Sequence, residues 1–134
     1  MASPRGLFLA LELMDALTHL FQKIEGTASF GDIAITDANV RGLFDDYPLH
    51  VVARWGDCEA IRLLVDAGAR VNQRGEHGFT PLNEAASAGH FEAVALLVSF
   101  GAAGERNDWG QSPSESAKLS GHEKLAAYLV QLGF

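Results

Sequence analysis

An all-α solenoid of about three helix–turn–helix repeats, with a capping helix at its N-terminus, is the fold class this sequence predicts. Three observations carry that expectation. Tyr47-Pro48-Leu49-His50 lies 33 positions before Thr80-Pro81-Leu82-Asn83, and Ser112-Pro113 lies 32 positions after Thr80-Pro81. A glycine (Gly56, Gly89, Gly121) follows nine positions after the first residue of each copy. Ahead of the copies, apolar residues from Leu7 to Ile24 recur at steps of three and four, the period of an amphipathic helix.

The first 34 residues stand outside the repeat. Ser3-Pro4 is a helix-start signal, and the pattern predicts a helix from about Pro4 to Ile24 that stops near Gly26. Leu7, Phe8, Leu11, Met14, Leu17, Leu20, Phe21 and Ile24 should give it one buried face. Glu12 and Asp15 interrupt the apolar run too early for a secretory leader. The helix therefore reads as a cap over the hydrophobic end of the stack, and Met14 is an alternative start that would shorten it. From Thr27 to Thr36, Ile33 and Ile35 alternate with polar or small residues, which predicts a short strand or an extended lead-in.

The repeat itself is physically legible. Thr80 can accept a hydrogen bond from a free backbone N–H at a helix start. Pro81 fits the first helical position, where its missing N–H costs nothing. Leu82, Ala85 and Ala86 give a small apolar face for close packing, and Gly89 suits the left-handed turn that ends the helix. Phe91 to Phe100 reads as a second helix with Val94, Leu97 and Val98 on one face. Leu64 aligns with Leu97 and Leu129, and Asn39-Val40-Arg41-Gly42 aligns with Asn72-Gln73-Arg74-Gly75. Ser114, Glu115, Ser116 and Lys118 make the last inner helix polar, as suits a C-terminal capping repeat.

The stretch from Thr80 to His90, with its T-P-L, A-A and G-H elements, resembles the core motif of the ankyrin repeat, and the resemblance covers residues 35–134. It implies a single domain with repeats at about 45–77, 78–109 and 110–134, finger loops at right angles to the helix pairs, and a concave face. His50, His90 and His122 fall at positions where the family uses histidine to tie neighbouring loops. The family's contact columns fall on Phe44, Asp46, Arg54 and Trp55, then Glu76, His77 and Phe79, then Asp108, Trp109 and Gln111. Leu43, Ser87, Ala88, Leu119 and Ser120 fill the remaining columns. Aromatic residues at fingertips are not required by stacking, so Phe44, Phe79, Trp55 and Trp109 are the expected partner anchors, with Asp46, Glu76 and Asp108 as an acidic rim.

Composition narrows the function. The net charge of −7 argues against nucleic-acid binding and favours a basic protein partner. One cysteine, Cys58, forms no internal disulfide and fits a reducing, cytoplasmic compartment. No apolar run approaches the ~20 residues of a membrane span. No phosphate loop, zinc pattern or nucleophile–base pair stands out, and Asp45-Asp46 reads as turn and cap rather than a metal site; neither catalytic residues, cofactor nor metal are expected. The sequence thus predicts a non-enzymatic module that binds a protein on its concave face, and its similarity to small bacterial ankyrin proteins, some of which are immunity proteins, implies a blocker of a basic, nuclease-like toxin. Alternatives are a scaffold or regulatory subunit binding through the N-terminal helix, and a homodimer through the aromatic face, with a monomer favoured over the latter.

Overall fold

The first helix, the inner helices and the outer helix that starts at Cys58 begin where a side chain or a proline deals with the free N–H groups of the first turn. The computed structural model describes residues 3–134. Helix α1 runs Pro4–Glu25, and Ser3 caps it by accepting from the Gly6 N–H at 3.0 Å. Three helix pairs follow: α2 (Pro48–Trp55) with α3 (Cys58–Asp66), α4 (Pro81–Ala88) with α5 (Phe91–Ser99), and α6 (Pro113–Leu119) with α7 (Glu123–Gln131). The inner helices each open on proline. At α4 the Thr80 hydroxyl accepts from the Asn83 N–H at 3.3 Å while Asn83 Oδ1 accepts from the Thr80 N–H at 2.9 Å, a reciprocal cap that satisfies two orphan donors. Ser112 and Glu115 repeat the exchange at α6.

The pairs stack in order, α2 on α4 on α6, with α3 and α5 packed along the outer side and α1 against α2 and α3. One core column, Leu64, Leu97 and Leu129, is fully excluded from water, and Ile61 and Val94 run beside it. Burying a leucine of this kind is worth roughly 1.5–3 kcal/mol, which is why each pair depends on its neighbour. The glycines that end α2 and α4 serve the stacking as well as the turn. Gly56 and Gly89 have φ of 72° and 80°, and a Cβ on either would lie 2.5 Å from the ring of His90 or His122. The next repeat's histidine therefore rests on the bare glycine, and His90 Nε2 donates to the Arg54 carbonyl at 2.9 Å.

Two expectations are corrected, and of the two readings of residues 27–36 the extended lead-in is the one found. Residues 28–32 are turns and Ile33–Thr36 an extended lead-in without a strand partner; Phe30 plugs the core, and the Ile35 N–H donates to Glu25 Oε1 at 2.7 Å. Ser114 and Ser116 are buried, so only Glu115 and Lys118 make α6 polar to solvent. The predicted buried face of α1 is buried only at its C-terminal end, at Leu20 and Ile24; Leu7, Phe8, Leu11 and Met14 are exposed. The cause is length: α1 has 22 residues, against eight in α2 and nine in α3, and outreaches the body it caps.

Candidate partner-binding groove

The loops between helix pairs are held rigid by hydrogen bonds that recur at the sequence period. Each finger is closed by one backbone bond: Gly42 N–H to the Asp46 carbonyl, Gly75 N–H to the Phe79 carbonyl at 2.8 Å, and Asn107 N–H to the Gln111 carbonyl at 3.0 Å. Asparagines strut the first two. Asn39 Nδ2 donates to the Gly68 carbonyl at 2.9 Å and Asn72 Nδ2 to that of Gly101 at 3.2 Å. The second and third fingers are joined by the Asp108 N–H donating to the His77 carbonyl at 2.9 Å and by Arg74 paired with Asp108 at 3.1 Å.

The tips carry backbone strain. Phe44, Asp45 and His77 have φ of 56°, 61° and 54°, a region that costs a side-chain-bearing residue roughly 1–2 kcal/mol. Gly78 and Gly110 occupy the column in which the first finger has Asp45. Strain of this kind survives where the surroundings over-determine the backbone, and such places cluster at functional sites.

Between the first two fingers and the inner helices lies a hollow of about 340 Å³. Phe44, Glu76, His77 and Phe79 line it from the fingers, Asp46, Arg54 and Glu84 from its floor, and Ala28 and Ser29 from the lead-in. Six residues predicted as partner contacts thus meet in one place. Phe44, 68% exposed, stands at its edge. Trp109, 60% exposed, continues the aromatic wall: its ring lies 4.8 Å from that of His77 and 5.9 Å edge-on from Phe79.

The floor is an ion cluster. Arg54 gives Nε and Nη2 to Glu84 at 3.1 and 2.9 Å and Nη2 to Asp46 at 3.1 Å. The hydrogen bonds to Glu84, more than any other cause, hold the guanidinium pKa above its already high ordinary value. Ser29 Oγ donates to Asp46 at 2.6 Å. Asp46 is therefore not the exposed rim carboxylate the sequence suggested: it is 3% exposed, beneath the lead-in and against Arg54. Three carboxylates (Asp46, Glu76, Glu84) face one guanidinium across the hollow, so the site keeps excess negative charge.

The other predicted contacts lie elsewhere or are engaged. Trp55, 36% exposed, sits at the end of α2 with Lys23 Nζ 4.9 Å above its ring, so it is covered in part rather than turned wholly outward. Asp108 is tied to Arg74, and Gln111 Oε1 accepts from Asn107 Nδ2 at 2.9 Å. Sequence reasoning missed Glu84, Ala28 and Ser29. Glu84 had a signal, because the neighbouring repeats carry Val51 and Ser116 in its column.

Among the described residues there is no group of three or more His, Cys, Asp and Glu that could hold a metal ion, and no helix long and apolar enough to cross a membrane. Cys58 opens α3, half-buried, and desolvation raises its thiol pKa, which works against a thiolate nucleophile. His50 is tied into the loops and points to no reaction partner: Nε2 donates to the Phe79 carbonyl at 2.9 Å and Nδ1 accepts from the Tyr47 N–H at 3.2 Å.

Stacked helix pairs with braced fingers over a polar-aromatic groove define a helical-repeat binding scaffold. The family model described as "Ankyrin repeats (3 copies)" matches residues 10–105 and 49–134, and the chain belongs to the ankyrin-repeat family. It is also 38% identical over 76 residues to "Protein fem-1 homolog A-like" from Mus musculus, covering 57% of this chain and 12% of that protein. The chain thus matches only a small part of that relative's length. Ankyrin repeats are protein–protein interaction modules and are generally non-enzymatic.

Proposed function

We propose that this chain is a non-catalytic module that holds a protein partner in the finger-loop groove by a basic side chain. The observation that carries the reading is the make-up of the groove: three carboxylates for one guanidinium, under exposed aromatic rings. A cation entering such a hollow is attracted by the carboxylates that Arg54 leaves incompletely neutralised. It is attracted also by the ring faces of Phe44, Phe79 and Trp109, at roughly 0.5–2 kcal/mol per cation–π contact. The net charge of −7 adds long-range steering of a basic partner. A narrower form of the reading, an immunity protein blocking a basic nuclease-like toxin in the cytoplasm, is supported by the same charge.

Phe44, Glu76, His77, Phe79 and Trp109 are the proposed contacts. Asp46 and Arg54 act from below by setting the field and holding the floor. Trp55 is left out of this set, because it does not line the hollow and Lys23 of α1 lies over one face of its ring. The test is affinity capture from the native source, with wild type beside Phe44→Ala/Trp109→Ala. The expected result is a basic protein retained by wild type, weakened by about 2 kcal/mol or more per ring and released by salt. Equal retention by the double variant, or an acidic partner, rejects the reading.

A further inference from the structure

The N-terminal half of α1 is an apolar arm that the body does not cover. Leu7, Phe8, Leu9, Leu11, Leu13 and Met14 are each 52–64% exposed. At 1.5 Å per residue the helix is about 33 Å long, while α2 and α3 span only about 13 Å each. Thirteen or so helical residues with nothing packed on them are marginal in water, so the arm needs a partner. The pattern specifies what kind. Leu7, Met14 and Phe21 share one position of a seven-residue repeat, and Ala10, Leu17 and Ile24 share the position three further on. That is the apolar seam of a helix that packs along another helix. The body occupies the seam at its C-terminal end and leaves the remainder open.

We propose that a second copy of this chain covers the arm, the two α1 helices lying antiparallel about a two-fold axis. Antiparallel packing sets one seam position against the other. With the axis level with Glu12, Leu7 then meets Leu17 of the second copy, and the small Ala10 meets its large Met14, once on each side of the axis. Leu11 and Leu13 flank the seam and meet their own counterparts across the axis. Arg5, Glu12 and His19 share the outermost position and stay in water, and no like charges are brought together.

Two features of the surface agree. Leu13, Met14, Leu17, Leu63, Asp66 and Ala67 line a slot of about 210 Å³ between α1 and α3, beside the level where Leu7 of the second copy arrives. Of those six side chains, Leu7, Leu11, Leu13 and Met14 lie at or beside the seam and leave on the order of 400 Å² uncovered, so two arms together hide about 800 Å², the size of a weak, reversible interface. A lipid surface is the poorer occupant: Glu12 and Asp15 outnumber Arg5 on the polar side, and anionic headgroups repel that balance. This dimer leaves the finger-loop groove open, so it differs from pairing through the aromatic face and stands or falls apart from the proposed function.

Sedimentation equilibrium of the full chain between 5 and ~100 µM reads the outcome, the upper concentrations being those that a weak interface of this size calls for. The expected result is twice the chain mass of 14.4 kDa, with Leu7→Glu/Leu11→Glu weakening association by at least ~100-fold while the circular dichroism of the body is unchanged. A second measurement reads the register: in a Cys58→Ser background, Leu11→Cys should oxidise to a cross-linked dimer and Phe8→Cys, on the outer side, should not. A full chain that stays monomeric at ~100 µM, equal association by the glutamate variant, equal cross-linking at both positions, or a monomer that binds anionic vesicles overturns the proposal.

Discussion

His50 offers a pH-dependent test of how the fingers are held. It is fully buried. A backbone N–H can only donate and a carbonyl can only accept, so the contacts to Tyr47 and Phe79 fix a neutral ring with its proton on Nε2. Desolvation lowers its pKa below 6.5, against the opposing pull of the Phe79 carbonyl and the charges of Glu84 and Asp46. The unfolded chain takes up this proton near pH 6.5, and the folded chain does so only at lower pH. Within that window the unfolded state binds more protons, so stability falls as pH drops below 6.5, by up to ~1.4 kcal/mol per pH unit, and is unaffected by this group above it. Asn83 holds the corresponding place in the next repeat, with Oδ1 accepting from Thr80 and Nδ2 donating to the Glu105 carbonyl at 3.3 Å. His50→Asn should keep the cap bond, lose the reach to Phe79 and cost about 1–2 kcal/mol at pH 7.5. Its stability should then fall less steeply between pH 6.5 and 5.5 than that of wild type. Urea unfolding at half-unit pH steps measures both slopes, and contributions from the other titrating groups cancel in the difference. Curves that stay parallel across this window would refute a buried neutral ring.

Three further substitutions probe the same scaffold. Asp45→Gly should stabilise by about 0.5 kcal/mol, because relief of left-handed strain exceeds the loss of the exposed Arg41 pair; a lower urea midpoint contradicts this. Arg54→Ala should cost about 2 kcal/mol, less than a fully buried pair because the guanidinium is 39% exposed, while Arg74→Ala in its exposed pair should cost under about 0.5; equal costs would show that the floor cluster is not special. Gly89→Ala should cost about 3 kcal/mol and Gly121→Ala only about 1, since both are left-handed but only Gly89 has a histidine ring against it; similar losses would remove the stacking role of His122.

What the sequence revealed was what acts over short range or repeats. Helix starts at Pro48, Pro81 and Pro113 and left-handed ends at Gly56 and Gly89 follow from local geometry read at a fixed period, and the loop-tying roles of His50 and His90 follow from the family resemblance. What it hid was set by segments outside the period. Asp46 looks like a solvated turn residue until Ser29, 17 positions earlier, folds over it. Trp55 looks like an open anchor until Lys23 of α1 lies across it. The helical period of α1 announces an apolar face but carries no information on how far the body reaches along it, and so the exposed arm was legible only in three dimensions.

Hydrogen exchange of the captured complex measures most directly whether the finger-loop groove is the surface that binds. Slowed exchange at the fingers around 42–47, 75–80 and 107–111, with α5 and α7 unchanged, is the predicted footprint. Protection confined to α1 or to the outer helices, with the fingers exchanging as in the free protein, would contradict the account.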